Sequence, residues 1–154
     1  GRNEEGNFEI WGVNSRLDNL QAAILLEKLK YFDNDVKRRR EIASVYNENL
    51  EENENLVLPP FGQNDRNFDT YQNYELRAKN RDKLRSFLSE NGIGTIIQWG
   101  GRAVHQEEHL GLTDFNLPAT DRFFKECFLL PMNTSLRDEE AKYICEKVNE
   151  FYEK

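Results

Sequence analysis

A chain of 154 residues with 38% hydrophobic and 32% charged side chains reads as one helix-rich domain with much solvated surface. Its formal charge of −7 argues against a nucleic-acid backbone or an anionic membrane as partner, since both demand positive faces. It has no apolar run long enough for a membrane span and no charged-then-apolar leader, while Cys127 and Cys145 are too few for a disulfide framework; the two read as buried, reduced thiols of a cytoplasmic protein.

In chain order, residues 1–13 carry glycines and alternate weakly around Phe8, Ile10 and Trp11, which predicts an extended lead-in. From Leu17 the apolar positions fall at helical spacing through Leu20, Ala23, Ile24 and Leu29, and the pattern resumes at Val36 and runs to Leu50. One long helix or two collinear ones, roughly 50 Å in all at about 1.5 Å per residue, is expected, with a kink at Asp33-Asn34-Asp35. Such a helix exceeds what the remaining chain covers, so part of it packs on something absent. Lys37-Arg38-Arg39-Arg40 followed by Glu41 reads as a solvated, ion-paired helix face.

Leu56-Val57-Leu58 is a short extended segment closed by Pro59-Pro60, and Phe61 to Phe68 is a polar loop. Thr70–Ala78 alternates as a strand with one buried face. Asn80 is the expected cap of a helix from Arg81 to Glu90, stopped by Asn91-Gly92. Ile93–Trp99 is a second candidate strand, Asp121–Glu126 a helix, Cys127–Leu130 an apolar strand and Ser135–Tyr152 an amphipathic helix capped near Asn133. The order predicts an α+β fold, in which a long N-terminal helix precedes a small three-stranded sheet with helices on one side.

Three constellations carry possible chemistry. Gly12-Val13-Asn14-Ser15-Arg16 opens the first helix and presents a polar pair at its entry, a suitable place to meet an anion. Gln98-Trp99-Gly100-Gly101-Arg102, with His105 and Gln106, crowds an amide, an indole, a guanidinium and an imidazole after a strand. Trp99 suits stacking on a base or sugar ring and Arg102 a diphosphate; the alternative is a core Trp99 and a solvated Arg102. Finally, His105-Gln106-Glu107-Glu108-His109 fits the inverted zinc-peptidase spacing, with His105 and His109 as ligands and Glu108 as base. The chain has no third histidine, and glycines leave that segment barely two helical turns.

The residues Gly12, Asn14, Arg16 and Gln21-Ala22-Ala23 follow the order of a signature found in pyridoxal-phosphate sugar aminotransferases, the DegT/DnrJ/EryC1/StrS family. Arg81-Asp82, Gly92-Ile93-Gly94-Thr95, His105-Gln106, Leu117-Pro118-Ala119-Thr120 and Leu130-Pro131-Met132 resemble its later landmarks, in the same order. Gln98-Trp99 departs from the usual His-Tyr, Gly100 to Ala103 from a proline-bearing loop, and Asp121 from the commoner Glu. These departures bear on the identity of the sugar rather than on the family.

The resemblance implies the C-terminal small domain of a type I pyridoxal-phosphate fold, with 1–15 a lead-in from a missing large domain and 16–154 the small domain. It implies a homodimer with shared active sites, pyridoxal 5'-phosphate as cofactor, and glutamate and a nucleotide sugar as substrates. Asn14 and Arg16 are then the cofactor-binding residues, with Asn14 reaching the phosphate of the partner's site and Arg16 either supporting that contact or anchoring the helix. Gln98, Trp99, Arg102 and His105 border the sugar nucleotide. The Schiff-base lysine lies upstream, so the chain alone is expected to bind no cofactor and to be inactive. No metal is implied. An independent helical dimerisation or interaction module is the competing reading, and a zinc hydrolase is the third.

Overall fold

The computed structural model describes residues 17–62 and 67–153, so Asn14 and Arg16 lie outside the described residues. It divides into two compact units, 1–34 and 35–154. In the first, helix α1 (Asn19–Leu29) starts at Asp18, whose carboxylate accepts the Gln21 N–H at 2.8 Å. It ends where Lys30 and Tyr31 donate to the carbonyls of Glu27 and Lys28, three residues back, tightening the last turn and closing the α ladder. The break therefore falls at Lys30-Tyr31, ahead of the acidic kink expected from the sequence. Helix α2 (Phe32–Asn49) follows.

No residue of α1 is buried. Leu20 is 73% exposed and Leu26 70%, and they stand on different sides of the helix at about 100° per residue. A helix that is apolar around its circumference is one made to be covered.

The second unit is built on three antiparallel strands, β1 (Leu56–Val57), β2 (Tyr74–Ala78) and β3 (Cys127–Leu130), in the order β1-β2-β3. Leu56 pairs with Ala78, Leu76 with Phe128 and Tyr74 with Leu130. Alternation along β2 sends Tyr74, Leu76 and Ala78 to one face and Glu75 and Arg77 to the other. Onto the first face pack Ile42, Ala43 and Tyr46 of α2, Leu84 and Leu88 of α3 (Arg81–Glu90), and Ala141, Ile144, Cys145 and Val148 of α5 (Asp138–Glu153). Fully buried leucines and isoleucines such as Ile42, Leu84 and Leu88 each contribute about 1.5–3 kcal/mol of transfer free energy. Helix α4 (Pro118–Glu126) has no buried residue, and its Phe123 shares a cavity with Glu75 and Arg77 on the second face.

The α+β class and the three-stranded sheet stand, but one strand differs. Ile93–Trp99 forms no strand: it makes a single bridge, Ile96 to Leu129, and then turns. Leu56-Val57 takes the third place instead. Strand β2 begins at Tyr74 rather than Thr70, because Asp69 Oδ1 accepts the Tyr71 N–H at 2.7 Å and bends the chain, leaving Tyr71 at φ 48°. Asn80 takes a left-handed conformation and makes no side-chain cap. Asn133 likewise builds a turn, accepting the Ser135 N–H at 3.0 Å, and it is Glu140 that receives the Arg137 N–H before α5.

Candidate functional site

The segment after α3 is pinned at its start. Ile93 N–H returns to Leu88 O at 2.9 Å through Gly92, and Arg85 grips Thr95 by its hydroxyl at 2.9 Å and its carbonyl at 3.3 Å. Ile96 and Leu129 exchange main-chain bonds of 3.2 and 2.8 Å. The chain then passes through three successive left-handed residues, Trp99, Gly100 and Gly101, at φ 54°, 63° and 74°. Glycine adopts this region freely, whereas a tryptophan is held there at a cost of about 1–3 kcal/mol. The result is an indole that is 80% exposed, which excludes the core alternative for Trp99.

Trp99 forms one wall of a groove of about 340 Å³, with Val104, Leu110 and Phe124 as its apolar lining and Arg102 and Glu107 as its charged rim. Arg102 Nη2 donates to Gln106 O at 2.6 Å and Nε stands 3.2 Å from Glu107 Oε1. Because both side chains are largely exposed, that ion pair orients more than it stabilises. Such a groove suits a flat or CH-rich ring on the indole, beside an anionic group at the guanidinium. Gln98 is half-buried at the same turn.

His105 is placed differently. It is buried, and its Nε2 stands 2.9 Å from Asp121 Oδ1 on α4. The turn that would put His105, Glu108 and His109 on one helical face does not form. Val104–Gln106 and Glu108–Leu110 are separate 3₁₀ turns with Glu107 extended between them. Among the described residues no group of three His, Cys, Asp or Glu is placed to hold a metal.

A second cavity of about 510 Å³ lies over the Glu75–Arg77 face, walled by Pro59, Pro60, Tyr71 and Phe123. A third, about 540 Å³, gathers Lys79, Lys83 and Lys125 near the start of α3. An imine-forming cofactor such as pyridoxal phosphate needs a lysine and an aromatic wall together. Among these three cavities of the described residues, the one that gathers lysines has no aromatic wall, and the two with aromatic walls have no lysine in their lining. These residues do not make a complete cofactor site. Neither thiol is poised for chemistry: burial raises both, Cys145 up to about 12.

Of the site residues expected from sequence, the structure gathers Gln98, Trp99 and Arg102 at one turn and sets His105 against α4. Sequence reasoning missed Val104, Leu110 and Phe124, which carry no chemical signature, and Asp121. The signal for Asp121 was His105 itself, since a buried imidazole needs a partner.

Residues 2–149 match the DegT/DnrJ/EryC1/StrS aminotransferase family. A pleiotropic regulatory protein of Geobacillus stearothermophilus is 37% identical over 93% of this chain and 39% of its own length. The dTDP-3-amino-3,6-dideoxy-alpha-D-galactopyranose transaminase of Aneurinibacillus thermoaerophilus is 34% identical over 91% of this chain and 38% of its own. Among solved structures, S. venezuelae DesV in complex with a ketimine intermediate aligns at TM-score 0.83 and 27% identity, over all of this chain and 41% of DesV. The chain thus spans about two-fifths of the length of these relatives. The TM-score and the match from residue 2 to 149 agree with the ordered motifs, and the chain belongs to the DegT/DnrJ/EryC1/StrS aminotransferase family.

Proposed function

We propose that the chain is the C-terminal domain of a pyridoxal-phosphate-dependent aminotransferase that moves an amino group from glutamate to a nucleotide-linked keto sugar in the cytoplasm. Residues 1–15 are the lead-in from the large domain and 16–154 the small domain. Pyridoxal phosphate supplies the carrier for the amino group, and the Schiff-base lysine belongs to the three-fifths of the relatives' length that this chain does not span. The chain alone is inactive. In the complete homodimer Asn14 and Arg16 stand at the cofactor phosphate, where an amide and a guanidinium donate without a nearby base.

The observation that carries the substrate side of this reading is Trp99: a bulky residue held left-handed and 80% exposed beside Arg102, in a chain matched to the family nearly throughout. Strain kept at an exposed aromatic marks a ligand contact. We assign Trp99, Arg102 and Gln98 to the sugar-nucleotide border, with His105 behind them. The transaminase relative named for a dTDP-linked sugar supports that substrate class. Helix α1 favours a second reading, an interaction module, but a large domain and a second subunit bury it equally well.

In the complete enzyme, Trp99→Ala and Arg102→Ala are expected to raise KM for the nucleotide sugar about tenfold or more while leaving the half-reaction with glutamate intact. Unchanged KM in both variants would remove the groove from the substrate site.

A further inference from the structure

The turn that carries Arg102 is tied to α4 by one carboxylate. Asp121 Oδ1 lies 2.9 Å from His105 Nε2 and 2.6 Å from Gln106 Nε2. A carboxylate only accepts, so both nitrogens donate, and His105 bears a proton on Nε2. Gln106, held in this way, points Oε1 at the Ala103 N–H, 3.0 Å off, and its own main-chain carbonyl receives Arg102 Nη2 at 2.6 Å. Ala103 and the His105 side chain are buried, the Asp121 side chain is 32% exposed, and none of the three lines the groove. Asp121 stands in the first turn of α4, where the helix dipole favours its charge.

We propose that Asp121 is a positioning residue: acting through Gln106, it sets where the Arg102 guanidinium stands on the rim of the Trp99 groove, and His105 is its buried partner rather than a ligand contact. This rests on reading the groove as the ligand-facing surface, but its test uses no ligand. Two N–H donors on one oxygen hold a turn more firmly than either alone, and the burial of His105 shields its bond from water.

In the unaltered, isotope-labelled 154-residue chain, long-range nitrogen–proton correlations of the imidazoles are expected to show a proton on His105 Nε2. A ring with Nε2 unprotonated overturns the proposal, whatever becomes of any variant. Asp121→Ala is expected to raise hydrogen exchange at the Ala103 amide about tenfold and to shift the Arg102 Nε–H resonance. Amides of Ile144 and Val148 in α5 are expected to keep their protection. Asp121→Asn retains an acceptor oxygen and is expected to restore most of the Ala103 protection, a rescue that loss of helix packing would not show. Unchanged Ala103 exchange in Asp121→Ala, or no recovery in Asp121→Asn, overturns the assignment. A groove that binds no ligand would sink the functional reading and leave these outcomes where they are.

Discussion

Gly101 lies against the Arg81 guanidinium: a Cβ built on it would stand 3.7 Å from Arg81 Nη1 and 3.2 Å from Ile97 Cγ2. Arg81 Nη1 in turn donates to Phe124 O at 2.5 Å and contacts Cys127 O at 3.4 Å. The residue that joins the start of α3 to the α4–β3 junction is therefore also the floor under the Trp99 turn. That gives the Arg81-Asp82 motif a physical role, since Nη1 serves both carbonyls while Nε donates to Asp82 Oδ1 at 2.9 Å, a spread that the single nitrogen of a lysine could not make.

Substitution at the two glycines follows from this. A methyl group added to Gly100, at φ +63°, would meet nothing within 4 Å, whereas one on Gly101, at φ +74°, would meet Ile97 and Arg81. Gly100→Ala is expected to cost about 1 kcal/mol for the left-handed backbone alone, and Gly101→Ala more. Urea unfolding of the two variants checks the ranking, and equal losses would contradict the close approach.

Two buried tyrosines in ring contact, Tyr46 and Tyr74, are expected to respond in opposite directions. Tyr46 OH donates to Pro131 O at 2.7 Å, while Tyr74 OH is buried without a hydrogen-bond partner among the described residues. Tyr46→Phe leaves a carbonyl unsatisfied and is expected to destabilise by about 1 kcal/mol. Tyr74→Phe removes a desolvated hydroxyl and is expected to be neutral or stabilising. Chemical denaturation of both variants tests the pair; a clear loss in Tyr74→Phe contradicts the geometry.

Alkaline stability follows from Cys145. Burial pushes its thiol from an ordinary 9.0 up to about 12. Below that ordinary value both folded and unfolded chains hold the proton. Between the two values the unfolded chain loses it first, so it binds fewer protons and stability falls as pH rises. Burial raises the Tyr46 and Tyr74 phenols as well, adding to the fall. Unfolding free energies measured across that window are expected to decline, and Cys145→Ala is expected to flatten part of the decline. A profile that Cys145→Ala leaves unaltered would show that the thiol contributes nothing.

Helix α1 exposes Leu20 and Ile24 at 73% and 53%. The 154-residue chain is expected to self-associate as its concentration rises, and Leu20→Glu with Ile24→Glu to reduce that association. Sedimentation equilibrium decides it; a wild-type chain that stays monomeric at high concentration contradicts the expectation.

Much of the fold was legible because local signals and burial agreed. The spacing of Ala141, Ile144, Cys145 and Val148 reports α5, and the alternation of Tyr74, Leu76 and Ala78 reports β2. Ile93–Trp99 misled because a β-branched run looks alike whether it enters a ladder or makes one bridge, and the left-handed turn that ends it begins already at Trp99, a residue that gives no such signal. Residues 98–102 were legible as a chemical cluster by type. The divergence of His105 from Trp99 was not, since it depends on Asp121 arriving from another element. Asp121 stood out only as a departure from the Glu commoner in the family it resembles.

Whether this chain is one part of a divided catalytic site is tested most directly by visible absorption on adding pyridoxal phosphate. The 154-residue chain is expected to give no Schiff-base band, and the longer protein carrying the large domain to give one. A band from the chain alone, or none from the longer protein, contradicts a divided site.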